Sequence, residues 1–220
     1  MATMGLISLD LAAYLGGVMP PLDGELGELY KFASGQGLPI IGEDVLSFLR
    51  VIFVLKKPMR VLEIGCCVGF SALLMAREMG ANGRVITIDR YPIMIEMAKE
   101  NFSKLDKHGQ IVLLEGDAAV VLPDLARRGE IFDLIFLDAA KGQYNRLWPW
   151  CERLLADGGV FLADDVLQGG TVAWDLEKIA KRQRTTHRNL NEFLQSAMSA
   201  KGYISTVLPI GDGLLVCVKG

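Results

Sequence analysis

Two acidic clusters hold the residues whose types and spacing could do chemistry. The first is Leu137-Asp138-Ala139-Ala140-Lys141-Gly142-Gln143-Tyr144, the second Leu162-Ala163-Asp164-Asp165-Val166-Leu167. Each follows a short apolar run. If those runs are parallel strands, the acids emerge at their carboxyl ends, where open α/β sheets bind ligands. Three carboxylates converging there repel one another unless a cation neutralises them. Oxygen ligands with room for water and substrate favour Mg²⁺, with Mn²⁺ or Ca²⁺ able to substitute. Asp138, Asp164 and Asp165 are therefore candidate metal ligands. The ion would chelate two neighbouring substrate oxygens and lower the pKa of the hydroxyl that attacks. Lys141 could take or electrostatically hold that hydroxyl's proton, which makes Lys141 and Asp138 the candidate catalytic pair. Helix caps and turns are the competing role for each Asp, and a solvated helix-start position the competing role for Lys141.

A second set of motifs speaks to a cofactor. The run Val61-Leu62-Glu63-Ile64 leads into Gly65-Cys66-Cys67-Val68-Gly69-Phe70-Ser71. Its glycines allow a sharp turn and close approach of a ligand to the backbone. The spacing is G-x-x-x-G, not the G-x-G-x-x-G that cradles a pyrophosphate, and no Walker lysine follows. This counts against the alternative of an NAD-binding oxidoreductase. Glu63, two residues before the first glycine, suits a cationic ligand. Asp89 closes the next run and can accept from ribose hydroxyls; Asp117, in Gly116-Asp117-Ala118, could meet an adenine amino group. An adenosine with a cationic centre points to S-adenosylmethionine. The activated oxyanion would then displace the sulfonium methyl in line, helped mainly by alignment of the reactants.

These residues need a scaffold that gathers strand ends. From residue 60 onward short β-branched runs alternate with helical stretches: Arg60–Ile64, Arg84–Ile88, Gln110–Leu114, Phe132–Leu137, Gly159–Ala163, Tyr203–Leu208 and Leu214–Val218. Pro92–Leu105 and Arg146–Leu155 are two of the intervening helices. Such alternation predicts a parallel sheet covered on both faces. Only five residues, Pro209 to Gly213, separate the last two runs, so these form an antiparallel hairpin. Residues 1–57 carry no strand signal and read as a helical extension, with helices at Asp10–Leu15, Leu22–Phe32 and Glu43–Leu55; residues 58–220 form the core, and the whole is expected to be one structural domain.

Composition narrows the setting. A net charge of −3 gives no overall basic field for nucleic acid, so RNA contact would rest on a local patch. Cys66, Cys67, Cys151 and Cys217 lack metal or disulfide spacing, and no apolar stretch is long enough for a membrane span or an export signal. A cytoplasmic protein with reduced thiols and no membrane partner is expected.

The E-I-G-x-x-x-G-x-S, I-D and G-D-A elements resemble those of class I S-adenosylmethionine-dependent methyltransferases. That resemblance implies a Rossmann-like α/β fold: a seven-stranded, mostly parallel sheet, its last strand antiparallel, with helices on both faces. D-A-A-K-G-Q-Y, the D-D-V-L element and the final G-D-G-L sharpen it. Over roughly residues 36–220 the chain resembles the cation-dependent O-methyltransferases that include catechol and caffeoyl-CoA methyltransferases. The resemblance implies that Ile41, Glu63, Gly65, Ser71, Asp89, Asp117, Ala118 and Asp138 line the cofactor. It implies Asp138, Asp164 and Asp165 as metal ligands, Lys141 as the catalytic lysine, and a homodimer. Two positions depart from the pattern: Asp165 where Asn is usual, adding a negative charge that could tighten the metal or raise a neighbouring carboxylate's pKa, and Phe70 where many relatives carry Tyr.

Within that family, D-A-A-K-G-Q-Y, Leu38-Pro39-Ile40-Ile41 and I-G-D-G-L are similar to the bacterial tRNA 5-hydroxyuridine methyltransferases. A 5-hydroxyuracil offers vicinal O4 and O5 much as a catechol offers two oxygens, so tRNA is the expected partner and a small catechol-like phenol the alternative. Lys178, Lys181, Arg182, Arg184 and Arg188 form a basic run; helical spacing would put 178, 181, 182 and 188 near one face, where they could meet phosphates. A solvated helix face is the competing role. Trp148 and Trp150 read as packing residues, Trp174 as a wall of the substrate pocket, and His187 has no assigned catalytic role.

Overall fold

The structure, a computed structural model, describes residues 3–4 and 7–220. Thr3–Met4 (β1) pairs antiparallel with Ile7–Ser8 (β2). This corrects the expectation that residues 1–57 hold helices alone: a two-residue ladder is too short to leave an alternating pattern. Three helices follow, Leu9–Val18 (α1), Gly24–Gly35 (α2) and Glu43–Lys56 (α3). Lys57, in the left-handed conformation at φ 49°, terminates α3.

The core then alternates as its β-branched runs dictate. Arg60–Ile64 (β3), Phe70–Met79 (α4), Arg84–Asp89 (β4), Pro92–Leu105 (α5) and Ile111–Glu115 (β5) make the first half. Ala118–Arg127 (α6), Phe132–Leu137 (β6), Tyr144–Leu154 (α7), Leu155–Ala163 (β7), Arg184–Met198 (α8), Tyr203–Leu208 (β8) and Leu214–Lys219 (β9) complete it. Strand order is β5-β4-β3-β6-β7-β9-β8. The first five strands run parallel, and β9 is antiparallel to both β7 and β8, as the short hairpin requires. Strand β7 begins earlier than Gly159: Leu155 pairs with Phe132, and the register shifts between Leu155 and Val160, where the regular pairing with β6 begins.

Alternation along the strands divides the core in two. Leu62, Ile64, Ile135 and Leu137 face α6, α7 and α8, where Trp148, Phe161 and Phe193 form an edge-to-face cluster. Val61, Leu134 and Phe136 face the other way, onto Phe70 and Leu74 of α4 and onto Val45, Leu49 and Phe53 of α3. Trp148 is thus a core residue, as expected.

The basic run is not one helix. Leu176–Lys178 and Lys181–Gln183 are separate 3₁₀ turns, with Ile179 and Ala180 extended between them, and α8 starts only at Arg184. Ile179 is buried and its carbonyl accepts from Arg184 Nε (3.0 Å), which holds the chain in this break. Lys178 is paired with Asp175 (3.1 Å). The expected single face of 178, 181, 182 and 188 therefore does not form.

Candidate active site

Backbone hydrogen bonds carry the sheet register past the strand ends and set the floor of the site. Gly65 N–H donates to Ile88 O (2.9 Å), Gly116 N–H to Asp89 O (2.7 Å), Asp138 N–H to Ile64 O (2.9 Å) and Asp164 N–H to Leu137 O (3.0 Å). The acids of β4, β5, β6 and β7 consequently emerge along one edge. A cavity of about 540 Å³ opens there; Ile41, Gly65, Ser71, Asp89, Asp117, Ala118, Asp138 and Lys141 all line it. Gly65 has φ 102°, and a Cβ there would sit 1.8 Å from Asp138 O. Only glycine lets the β3–α4 turn lie this close to the end of β6.

Glu63 is placed differently from its expected position on the cavity wall. Strand alternation puts it on the α4 face, fully buried, where its Oε2 accepts from Thr87 Oγ1 (2.5 Å) and its Oε1 has no hydrogen-bond partner. Burial pushes its carboxyl up to about 8, and the Ser71 and Thr87 hydroxyls offset this only in part.

Asp89 is buried, and both its oxygens are engaged. Oδ2 accepts from the N–H groups of Cys66 and Cys67 (3.0 Å each), Oδ1 from those of Arg90 (2.7 Å) and Tyr91 (2.9 Å). Besides facing the cavity, it ties the glycine turn to the end of β4, a role its position in the sequence did not reveal. Asp117 caps α6 through Ala119 N–H (2.8 Å) and pairs with Arg90 (2.8 Å); these interactions hold its carboxyl below the usual range.

The acids of β6 and β7 gather around one ammonium. Lys141 Nζ lies 2.7 Å from Asp165 Oδ2 and 3.3 Å from Asp138 Oδ1. Burial alone would lower the lysine, yet Asp138 and Asp165 hold it above its ordinary value. Burial raises Asp164 to about 8, with Asp138 and Asp165 adding like-charge repulsion; Asp138 is raised by burial and by Asp165 despite Lys141. This is the effect expected of an acid at position 165. Asp165 itself has φ 56°, a conformation Asp tolerates better than most side chains.

The expected three-carboxylate cage is not closed. Among the described residues no three His, Cys, Asp or Glu side chains are arranged to hold a metal ion, and Asp138 and Asp165 are instead both paired with the Lys141 ammonium. The donor set still fits a hard cation. Its oxygens are all carboxylate, and two of the three carboxyls are raised, by burial first and then by the like charges around them, which a cation would offset.

Tyr144 is a site residue that sequence reasoning left without a role. Its fully buried hydroxyl donates to Asp164 O (3.0 Å), with Leu137 O at 3.3 Å, and accepts from Ala139 N–H (3.3 Å). One hydroxyl thereby joins the ends of β6 and β7. Asp44, at the start of α3, accepts from Gly211 N–H (2.5 Å) and brings the N-terminal helices to the 209–213 turn beside Asp164. Trp174, expected as a wall of the substrate pocket, is half exposed and does not line this cavity.

Known proteins are similar to this chain in sequence and fold. The model of the O-methyltransferase family matches residues 25–220. The catechol O-methyltransferase of Mycobacterium tuberculosis is 31% identical over 179 residues, spanning 79% of this chain and 80% of its own. A Staphylococcus aureus structure assigned as a caffeoyl-CoA O-methyltransferase superposes with a TM-score of 0.86 at 26% identity, over 96% of this chain and 99% of that one. An O-methyltransferase from Bacillus cereus in complex with SAH shares the fold, with a TM-score of 0.82 at 23% identity over 96% of this chain and 97% of its own. The chain belongs to the O-methyltransferase family, whose members take their methyl group from S-adenosylmethionine.

Proposed function

We propose that this O-methyltransferase methylates a hydroxyl that has a second oxygen beside it, with a divalent cation held by Asp138, Asp164 and Asp165. The observation that carries this reading is the pairing of Asp138 and Asp165 with a single ammonium, beside a buried Asp164 raised to about 8. The S-adenosylmethionine would occupy the cavity at the ends of β3, β4 and β5. When bound, the cation supplies Lewis acidity toward the two acceptor oxygens. Lys141, released from Asp165 and Asp138, holds or takes the hydroxyl proton at its Nζ. Ser71, Gly65 and the apolar wall of Ile41 orient the methyl donor, and alignment supplies much of the rate.

A small catechol-like phenol is the acceptor favoured by the catechol O-methyltransferase relative. A second reading, 5-hydroxyuridine in tRNA, draws on Lys181, Arg182 and Arg188, which are exposed on the segment that follows Trp174. Labelled S-adenosylmethionine offered with a catechol and, separately, with hydroxyuridine-containing tRNA tests both. Labelling of the catechol alone supports the small-molecule reading, labelling of tRNA alone the RNA reading, and labelling of neither sinks the vicinal-oxygen assignment.

The expected homodimer fits the exposed apolar row Val51, Val54 and Leu55 on α3. A molar mass by light scattering equal to one chain would rule it out. A cytoplasmic setting fits the four free thiols and the absence, among the described residues, of a helix able to cross a membrane.

A further inference from the structure

Arg90 makes three interactions at the mouth of the cavity. Its Nη1 pairs with Asp117 Oδ2 at 2.8 Å, its Nη2 lies 3.3 Å from the Tyr91 hydroxyl, and its guanidinium carbon stands 5.2 Å from the centre of the Tyr91 ring. The side chain thus spans from the end of β4 to the first turn of α6. Arg90, Tyr91, Ile93 and Asp117 all line the cavity, yet Tyr91 is 55% and Ile93 75% exposed. Two large apolar side chains left in solvent beside a cavity are surface prepared for a flat ligand.

Sheet order decides which part of the ligand lies there. The acids that address the acceptor hydroxyl stand at the ends of β6 and β7, so the reacting methyl must lie near β3 and β6. The rest of the cofactor then extends the other way, across the end of β4 toward β5, and its purine reaches Tyr91, Ile93 and Asp117.

We propose that Arg90 is a positioning residue for the cofactor's purine, bridging Tyr91 and Asp117 so that aromatic ring and carboxylate stand fixed where the base must sit. This rests on the cofactor site proposed above. Three physical consequences support the bridge. The guanidinium is planar and can stack on the ring while its edge donates to the carboxylate, which lysine cannot do. Asp117 Oδ1 is already held by Ala119 N–H, so Arg90 on Oδ2 removes the carboxylate's remaining rotation. Restricting these groups before binding cuts the ordering cost of capturing a base.

The test is calorimetric binding of SAH and of 5′-methylthioadenosine, which keeps the purine and lacks the amino acid. The proteins are the full-length chain and its Arg90→Met, Arg90→Lys and Tyr91→Leu variants. Arg90→Met should weaken both ligands by a similar factor, about five- to tenfold. Arg90→Lys should recover only part of that loss, because it restores the charge pair without the stack. Steady-state kinetics should place the loss on KM for S-adenosylmethionine rather than on kcat, with the melting temperature of the ligand-free protein unmoved. If Arg90→Met binds both ligands as tightly as the parent, or loses SAH while keeping methylthioadenosine, the assignment is wrong. If Arg90→Met does not fold, Tyr91→Leu must show the same paired loss or the assignment falls. Failure of the parent chain itself to bind SAH would overturn the cofactor site and this inference with it.

Discussion

The Lys141 ammonium and the Asp165 carboxylate form a close pair, Nζ to Oδ2 at 2.7 Å, at the point where the ends of β6 and β7 meet. Asp138 Oδ1 lies 3.3 Å from the same ammonium. Among the described residues, the cation paired with these acids is therefore the lysine proposed to act at the acceptor hydroxyl. If Asp138, Asp164 and Asp165 hold a divalent cation as proposed, Lys141 would be released from Asp165 and Asp138, and metal uptake would be coupled to lysine placement.

Asp165→Asn removes one of the charges that raise Asp164 and Asp138. Both carboxylates should then ionise at lower pH, and since ligands must shed protons to bind metal, the midpoint of Mn²⁺ binding against pH should fall. Titration of the parent and variant by Mn²⁺ paramagnetic resonance checks this. A midpoint that stays put or rises would show that Asp165 does not act on its neighbours through charge.

Glu63 and Asp164 both stand near 8 in the folded chain, above the ordinary carboxylate range. The folded state holds protons that the unfolded chain has already released. Their contribution to stability is fully present below about pH 4 and is lost as pH rises through 8. In metal-free, cofactor-free protein, urea unfolding at about pH 6 and about pH 8.5 should show the second condition weaker. Glu63→Gln should narrow that gap, because a neutral amide has no proton to lose. An equal gap in parent and variant would count against a buried, protonated Glu63.

Tyr144→Phe deletes a hydroxyl that bonds across the ends of β6 and β7. The loss should cost about 1–2 kcal/mol of stability, read by urea unfolding. It should also weaken Mn²⁺ binding, since the strand ends carrying Asp138 and Asp164 lose their shared anchor. Unchanged metal binding would confine Tyr144 to packing.

Gly65→Ala places a Cβ 1.8 Å from Asp138 O on a backbone at φ 102°. Either the turn or the end of β6 must move. We expect destabilisation of at least about 2 kcal/mol together with loss of SAH binding in whatever fraction folds. Normal SAH affinity in the variant would show that the close approach of these two backbones is dispensable.

Much of this was legible in the sequence, for identifiable reasons. The β-branched runs at Arg60–Ile64 and Phe132–Leu137 appear as strands with unchanged bounds, because buried parallel strands need apolar side chains on both faces. Gly65, Asp89, Asp117 and Asp138 come together because strand ends on one edge of a parallel sheet are neighbours by construction. Hydrogen-bond partners were not legible. Nothing in the I-D dipeptide tells that both oxygens of Asp89 are taken by backbone N–H groups. Nor does spacing tell that Glu63 turns away from the cavity, which depends on the sheet's pleat relative to α4. The basic run misled because helical periodicity was read through Ile179, whose burial breaks the helix instead.

The most direct measurement of the central claim is the rate of methyl transfer from S-adenosylmethionine to a catechol as Mg²⁺ is titrated into chelator-treated protein, for the parent chain and for Asp138→Asn. The parent's rate should rise from near zero to a plateau with added Mg²⁺, while Asp138→Asn, folded and still able to bind SAH, should stay near zero. Full turnover in the presence of chelator, or a parent-like Mg²⁺ response from Asp138→Asn, would contradict that claim.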